Sequence, residues 1–243
     1  MAPAGYSFRS CVQSKSSTGK SSWLVTCSLL QREANAEPSD FDSAAMKCVR
    51  ALFVEGHDSQ RQQIPPRLSG TCIWFLESQQ CVTWKNEAMS SLLWVSADPG
   101  CGKSVLASFL IDDLKSEEPQ RNLLSTICYF FCKTDDERRN SGVLVVRSLL
   151  YQLLCARTDL LQYANEIYKK KGSAMLNDLE VLWDFLVELA SKDRRRHVVC
   201  IIDALDECLL FSGKCSSSWL GGSSDCTLSK ALLTVNPARH NIL

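Results

Sequence analysis

The stretch Leu92-Leu93-Trp94-Val95-Ser96-Ala97-Asp98-Pro99-Gly100-Cys101-Gly102-Lys103-Ser104 decides the fold. An apolar run enters a tight Pro/Gly turn, and Val105-Leu106-Ala107-Ser108-Phe109-Leu110 then opens a helical pattern. Strand, glycine-rich loop and helix form the setting that a phosphate-binding loop requires. Gly100 and Gly102 let the backbone curl so that successive N–H groups point inward at the positive end of a helix. In this pattern Lys103 reaches the terminal phosphates and the Ser104 hydroxyl ligates Mg²⁺, while Asp98, Pro99, Gly100, Cys101, Gly102 and Val105 complete the cradle. The pattern GxxxxGK[ST] asks for glycine at 97, where this chain has Ala97. The nest is made mainly by residues 99–104, so binding is expected to survive. A second copy, Ser14 to Ser21 (SKSSTGKS), has no apolar strand before it and is read as a decoy.

Downstream, His197-Val198-Val199-Cys200-Ile201-Ile202 is apolar almost throughout, as a strand buried on both faces should be. It ends in Asp203-Ala204-Leu205-Asp206-Glu207. Open α/β sheets place their ligands at the carboxyl ends of such strands. Asp203 is therefore the candidate to hold the Mg²⁺ water shell, and Asp206 or Glu207 the candidate to position an attacking water.

Composition bounds what else the chain can be. At 243 residues it has room for one large domain with extensions. Lys+Arg and Asp+Glu are both 27, so no global charge draws it to nucleic acid or to a membrane surface. No run of ~18 apolar residues is present, so no membrane span is expected. The thirteen cysteines are scattered, odd in number and often inside apolar runs, and no CxxC pair occurs beside the three histidines. Reduced thiols in a cytoplasmic protein fit this better than a disulfide framework or a zinc site.

Residues 1–38 are serine-rich and carry no acid before Glu33, which predicts a disordered leader. Ser39 reads as an N-cap, with Phe41, Ala45, Cys48, Val49 and Leu52 following at helical spacing. A polar, proline-broken link runs from His57 to Gly70. Ile73, Trp74, Leu76 and Trp84 then suggest a short apolar helix and its continuation, all packing residues. The helix after the loop is predicted from about Gly102 to Lys115, and a strand over Leu124 to Cys132. Asp135 to Arg139 reads as a solvated turn. Further helices are predicted with Val143, Val146, Leu149, Leu150, Leu153 and Leu154 on one face, over Leu160 to Lys171, and over Leu179 to Leu189. The Lys169–Lys171 and Arg194–Arg196 clusters read as surface charge.

With these motifs in order, the sequence resembles the NACHT-domain P-loop NTPases of the signal-transducing STAND class, in particular the nephrocystin-like N-terminal region of fungal NACHT proteins. GTCIWFL with Trp84, LLWVSADPGCGKSVLASFL, the YFF strand and IIDALDEC carry the resemblance over about residues 70–208. It implies an α/β, three-layer P-loop fold with a parallel sheet, preceded by a short helical segment. The domains would be a leader at 1–38, a helix and linker at 39–69 and the NTPase domain at 70–243. It also implies strand order 5-1-4-3-2, which makes Ala231 to Val235 the candidate fourth strand. The family ends that strand in Thr-Ser-Arg-Pro, whereas this chain reads Thr234-Val235-Asn236-Pro237, with Arg239 a poor substitute for the sensor arginine. Ser212 to Ser229 carries no convincing helix, and no fifth strand or helical lid follows. The expectation is therefore a C-terminally truncated, incomplete sheet.

The resemblance implies an ATP- or GTP-dependent switch of the NLR type, of the kind used in innate immunity and heterokaryon incompatibility. Without an NKxD motif, adenine is favoured over guanine. Expected partners are a nucleoside triphosphate with Mg²⁺ and other NACHT proteins. Hydrolysis is expected to be slow at most. A non-enzymatic interaction or decoy protein retaining part of the fold is the competing class, and a small-molecule P-loop kinase a weaker third.

Overall fold

The computed structural model describes residues 45–54, 57–87, 90–121, 125–192, 197–208 and 230–235. The leader at 1–38, the Ser14–Ser21 decoy, the Ser39 cap, Arg194–Arg196, the Ser212–Ser229 stretch, Asn236-Pro237 and Arg239 lie outside these residues. The described helices are α1 (Ala45–Leu52), α2 (His57–Gln62), α3 (Ile73–Leu76), α4 (Gln79–Asn86), α5 (Lys103–Arg121), α6 (Gly142–Ala156), α7 (Leu161–Lys171) and α8 (Leu179–Ser191). The strands are β1 (Ser91–Ser96), β2 (Ser125–Phe131), β3 (His197–Asp203) and β4 (Lys230–Val235).

The four strands form one parallel sheet in the order β1-β4-β3-β2. The last described strand is thus inserted between the first and third, as expected of Ala231 to Val235. β4 pairs with β1 from Ser91↔Lys230 to Ser96↔Val235 and with β3 from Val199↔Lys230 to Ile202↔Leu233.

Alternation along the strands sorts the core into two layers of packing. Cys128, Phe130, Val198, Cys200 and Ile202 face one way, into a cluster built from α1, α6, α7 and α8. Ile127, Tyr129, Phe131, Val199 and Ile201 face the other way, onto α3, α4 and α5. Helices on both faces of a parallel sheet make the three-layer α/β architecture. Among the described residues no helix is long and apolar enough to cross a membrane.

Four local readings change. α6 is not apolar on one face only: Val145, Ser148, Tyr151, Gln152 and Cys155 are buried as well, because α1 and α8 cover the sides that β2 does not. The Gln152 side chain donates to Tyr129 O (2.8 Å) and accepts from Tyr129 N–H (3.0 Å), so it satisfies the outer edge of β2. α5 continues six residues past Lys115, because Glu117 and Glu118 are good helix formers without apolar periodicity. Trp74 is not a packing residue; it is 68% exposed, and its neighbour Phe75 is the buried one. The expected helix and its continuation are two separate helices, because Ser78 accepts from Cys81 N–H as the N-cap of a new one.

The link from His57 to Gly70 also contains a helix, α2, which tertiary contacts hold in place. Arg61 donates to Ser108 O (3.2 Å), pairs with Asp112 and lies over the Tyr129 ring at 5.6 Å from its centre. Two of those partners are on α5. Lys85 on α4 pairs with Asp113 on the same helix. α5 is thereby fixed from both α2 and α4.

Candidate functional site

All four strands run parallel, so their carboxyl ends meet along one edge of the sheet. The loop after β1 lies there. Gly100 has φ 80° and Gly102 φ 81°, the left-handed region that a side chain resists. Nothing lies within 4 Å of where a Cβ would stand on either glycine, so the loop opens onto free space. Asp98 O accepts from Cys101 N–H at 3.3 Å, closing the turn, and Leu106 N–H donates to Gly102 O at 2.9 Å, starting α5. The leading N–H groups of a helix have no partner within it, and the dipole makes that end attractive to anions. Asp98, Pro99, Gly100, Cys101 and Gly102 are exposed, while Lys103, Ser104 and Val105 are half-buried at the start of α5. The Lys103 ammonium is folded back on its own loop, donating to Ala97 O and to Asp98 O (3.0 Å). Those two bonds hold the cation at the mouth of the nest.

Asp203 ends β3 at the same edge and is 3% exposed. It follows Val199 and Ile201 in the alternation, and so falls on the face where α5, and with it Ser104, packs. The open glycine cradle, the cation at its mouth and the carboxylate on the α5 side fit a nucleotide phosphate with Mg²⁺. Among the described residues no group of three or more His, Cys, Asp and Glu is arranged to enclose a metal.

Ala204 follows with φ 53° and ψ 47°, a left-handed conformation at a non-glycine residue. It turns the chain sharply into a 3₁₀ turn, Leu205–Glu207, that lies against β4 and reaches the turn after β2 through Glu207. Asp206 and Glu207 are half-buried there. Glu207 Oε2 accepts from Thr134 N–H at 3.0 Å, and the Thr134 hydroxyl lies 3.5 Å from the same oxygen.

The turn carrying Thr134 is braced by its own charges. Asp136 accepts from Arg138 at 3.0 and 3.2 Å and from Arg139 at 2.9 Å. The Arg138 hydrogen bonds, helped by the charge of Arg139, hold the Asp136 carboxyl down at about 2. Asn140 donates to Thr134 O at 3.3 Å. Both arginines of the turn pair with Asp136.

Behind this turn, Cys132 donates its N–H to Asp203 O at 3.0 Å. Its thiol lies far above the ordinary thiol range, first through a hydrogen bond to Cys208, then through burial and the charges of Cys208, Asp203 and Glu207. Sequence reasoning brought the phosphate loop and the β3 acids to one edge. It missed Thr134 and Cys132, which reach the site only through the register Phe131↔Asp203. The one local signal was their position just past a β-rich run.

A family described as Nephrocystin 3, N-terminal, matches residues 70–231. The Vegetative incompatibility protein HET-E-1 of Podospora anserina is 33% identical over 158 residues, which make up 63% of this chain and 11% of that protein. The chain thus spans about a tenth of the length of that relative. Both similarities agree with the NACHT-like resemblance carried by the phosphate loop and the DALDE segment. Because the match runs from the turn before α3 through the loop, β2 and β3 into β4, the chain belongs to the nephrocystin 3 N-terminal family.

Proposed function

We propose that this chain is the nucleoside-triphosphate-binding module of a NACHT-type signalling switch, that its ligand is ATP with Mg²⁺ rather than GTP, and that it hydrolyses the nucleotide slowly at most. The observation that carries this reading is the loop between β1 and α5. Two glycines at positive φ open a nest at a helix N-terminus, and Lys103 stands at its mouth. The N–H groups of residues 100–105 hold the phosphates, and Lys103 exchanges its bonds to Ala97 O and Asp98 O for phosphate oxygens. Ser104 and Asp203 would hold the Mg²⁺, which would supply charge neutralisation at the phosphates. Glu207 orients water and accepts its proton, with Asp206 next to it as the other acid. Its bond to Thr134 N–H ties the carboxylate to the turn after β2 and away from free rotation toward a water, which favours slow turnover.

Titration of the purified chain with a fluorescent ATP analogue and Mg²⁺ tests this. Lys103→Ala is expected to weaken binding by about 1.5–3 kcal/mol, the worth of hydrogen bonds to a charged group, or roughly ten- to a hundredfold in Kd. Equal affinity for parent and variant would remove the loop from the site. The competing class, an interaction protein without turnover, draws on the same Thr134–Glu207 bond. Nucleotide bound stoichiometrically with no phosphate released over hours would favour it.

A further inference from the structure

We propose that Thr134 is a positioning residue that holds Glu207 away from the nucleotide, so that the turn after β2 is a built-in brake on hydrolysis. This rests on the reading of the sheet's carboxyl edge as an ATP site and concerns how that site is restrained. Glu207 Oε2 accepts from Thr134 N–H at 3.0 Å, and the Thr134 hydroxyl stands 3.5 Å from that oxygen and from Glu207 O. Strand order gives the hold its direction. In β1-β4-β3-β2, the strand leading into the phosphate loop and the strand leading to Thr134 are the two outermost described strands. Three strand spacings separate them, about 14 Å. The carboxylate that follows β3 is thus drawn toward β2, away from the side on which β1 and its loop lie.

Both ends of the hold are stiff. Thr134 is the second residue of a β-turn closed by Asp136 N–H on Lys133 O at 3.2 Å. Lys133 N–H on Arg139 O at 3.1 Å and the Asn140 amide on Thr134 O at 3.3 Å tie that turn shut. Opposite it, Glu207 N–H donates to Ala204 O at 2.9 Å. Lys103 supplies the contrast. It too rests on backbone groups, the Ala97 and Asp98 carbonyls, but an incoming phosphate offers it a charged partner in exchange. Glu207 would trade a fixed N–H donor for a neutral water. Nucleotide binding therefore releases Lys103 and leaves Glu207 held.

A hydrogen bond to a carboxylate shifts such an equilibrium roughly ten- to a hundredfold. The free carboxylate is then the minor state, and hydrolysis slows by the same factor. The turn itself allows the donor to be removed cleanly. Proline is favoured at the second position of a β-turn, whose N–H the turn does not use. Lys133, ahead of it, lies outside any helix, as suits a residue preceding proline. Thr134→Pro therefore deletes the N–H and keeps the turn. Thr134→Val keeps the N–H and deletes only the hydroxyl, whose contacts are at the outer limit of a hydrogen bond.

The full chain is tested with and without nucleotide. Without it, hydrogen exchange of the Thr134 amide is followed by NMR in the parent and in Glu207→Ala. A protected amide is expected, exchanging about tenfold faster or more in the variant. Exchange in the parent at the rate of a free amide would overturn the proposal. With ATP and Mg²⁺, Thr134→Pro is expected to raise kcat roughly ten- to a hundredfold at unchanged KM, while Thr134→Val keeps the parent's kcat. Should the proline chain lose its fold, Asp136→Ala, which frees the turn from both arginines, is read instead, with kcat severalfold higher at unchanged KM. A parent that does not bind ATP would remove the nucleotide reading and the brake with it. A parent that binds ATP, with kcat raised by neither the proline nor the alanine variant, would overturn the brake alone.

Discussion

At the residue scale, Glu207 offers the sharpest separation of binding from chemistry. Glu207→Gln keeps an oxygen that accepts from Thr134 N–H, so the turn should stay in place. An amide cannot take a proton from water, so nucleotide affinity should be unchanged and phosphate release should fall to background in a coupled-enzyme assay. Turnover equal to the parent's would leave Asp206 as the acid. Asp136 carries a pH signature. Its carboxyl is held at about 2 against an ordinary 3.8, so the folded form binds its proton less readily than the unfolded chain. The resulting stability is complete above the unfolded value and is lost as pH falls through the folded one. Urea midpoints of the parent should therefore decline more steeply between pH 4 and 2 than those of Asp136→Asn. At neutral pH the variant should lose about 1 kcal/mol at most, since Arg138 is largely solvated.

At the element scale, β2 tests whether a side chain can stand in for a neighbouring strand. Gln152 meets both backbone groups of Tyr129 from within the core. Gln152→Leu should cost about 1–3 kcal/mol for each of the two groups deprived of this amide, read as a lower urea midpoint with an unchanged slope. Gln152→Glu should retain the bond from Tyr129 N–H and lose the one to Tyr129 O. The strands themselves were legible as mostly apolar runs, and β2 and β3 are buried along nearly their whole length. The phosphate loop was legible because the glycines, lysine and serine must stand at fixed spacing. α2 was not, since its six residues have no apolar stripe and are held by Arg61 from outside. Trp74 misled through its apolar character, although Phe75 takes the inward position. The grip of Thr134 on Glu207 was also out of reach, since only sheet register brings those residues together.

At the scale of the whole molecule, β4 is the piece on which the sheet depends. Its backbone pairs with β1 along one side and with β3 along the other. Deleting residues 230–243 would leave both neighbours with unpaired groups at about 1–3 kcal/mol each, against a usual total stability of about 5–15 kcal/mol. The shortened chain should aggregate or bind a hydrophobic dye, with helical far-ultraviolet signal but no cooperative melt. A cooperative melt within a few degrees of the parent's would mean that β1 and β3 do not rely on β4. The amino-terminal side carries a similar weight. Cys48, Val49 and Leu52 of α1 are buried in the same cluster as α6 and α8, although the family match begins only at residue 70. Arg61 gives this a consequence in time. One guanidinium fastens α2 to Ser108 and Asp112, so the segment before the matched region cannot lift off without releasing the middle of the helix that begins at Lys103. In hydrogen-exchange language, α2 and the first three turns of α5 should open as one foldon, with similar opening free energies. A force that reaches α2 would then pass into α5 at Ser108 and Asp112, in the second and third turns past the phosphate loop.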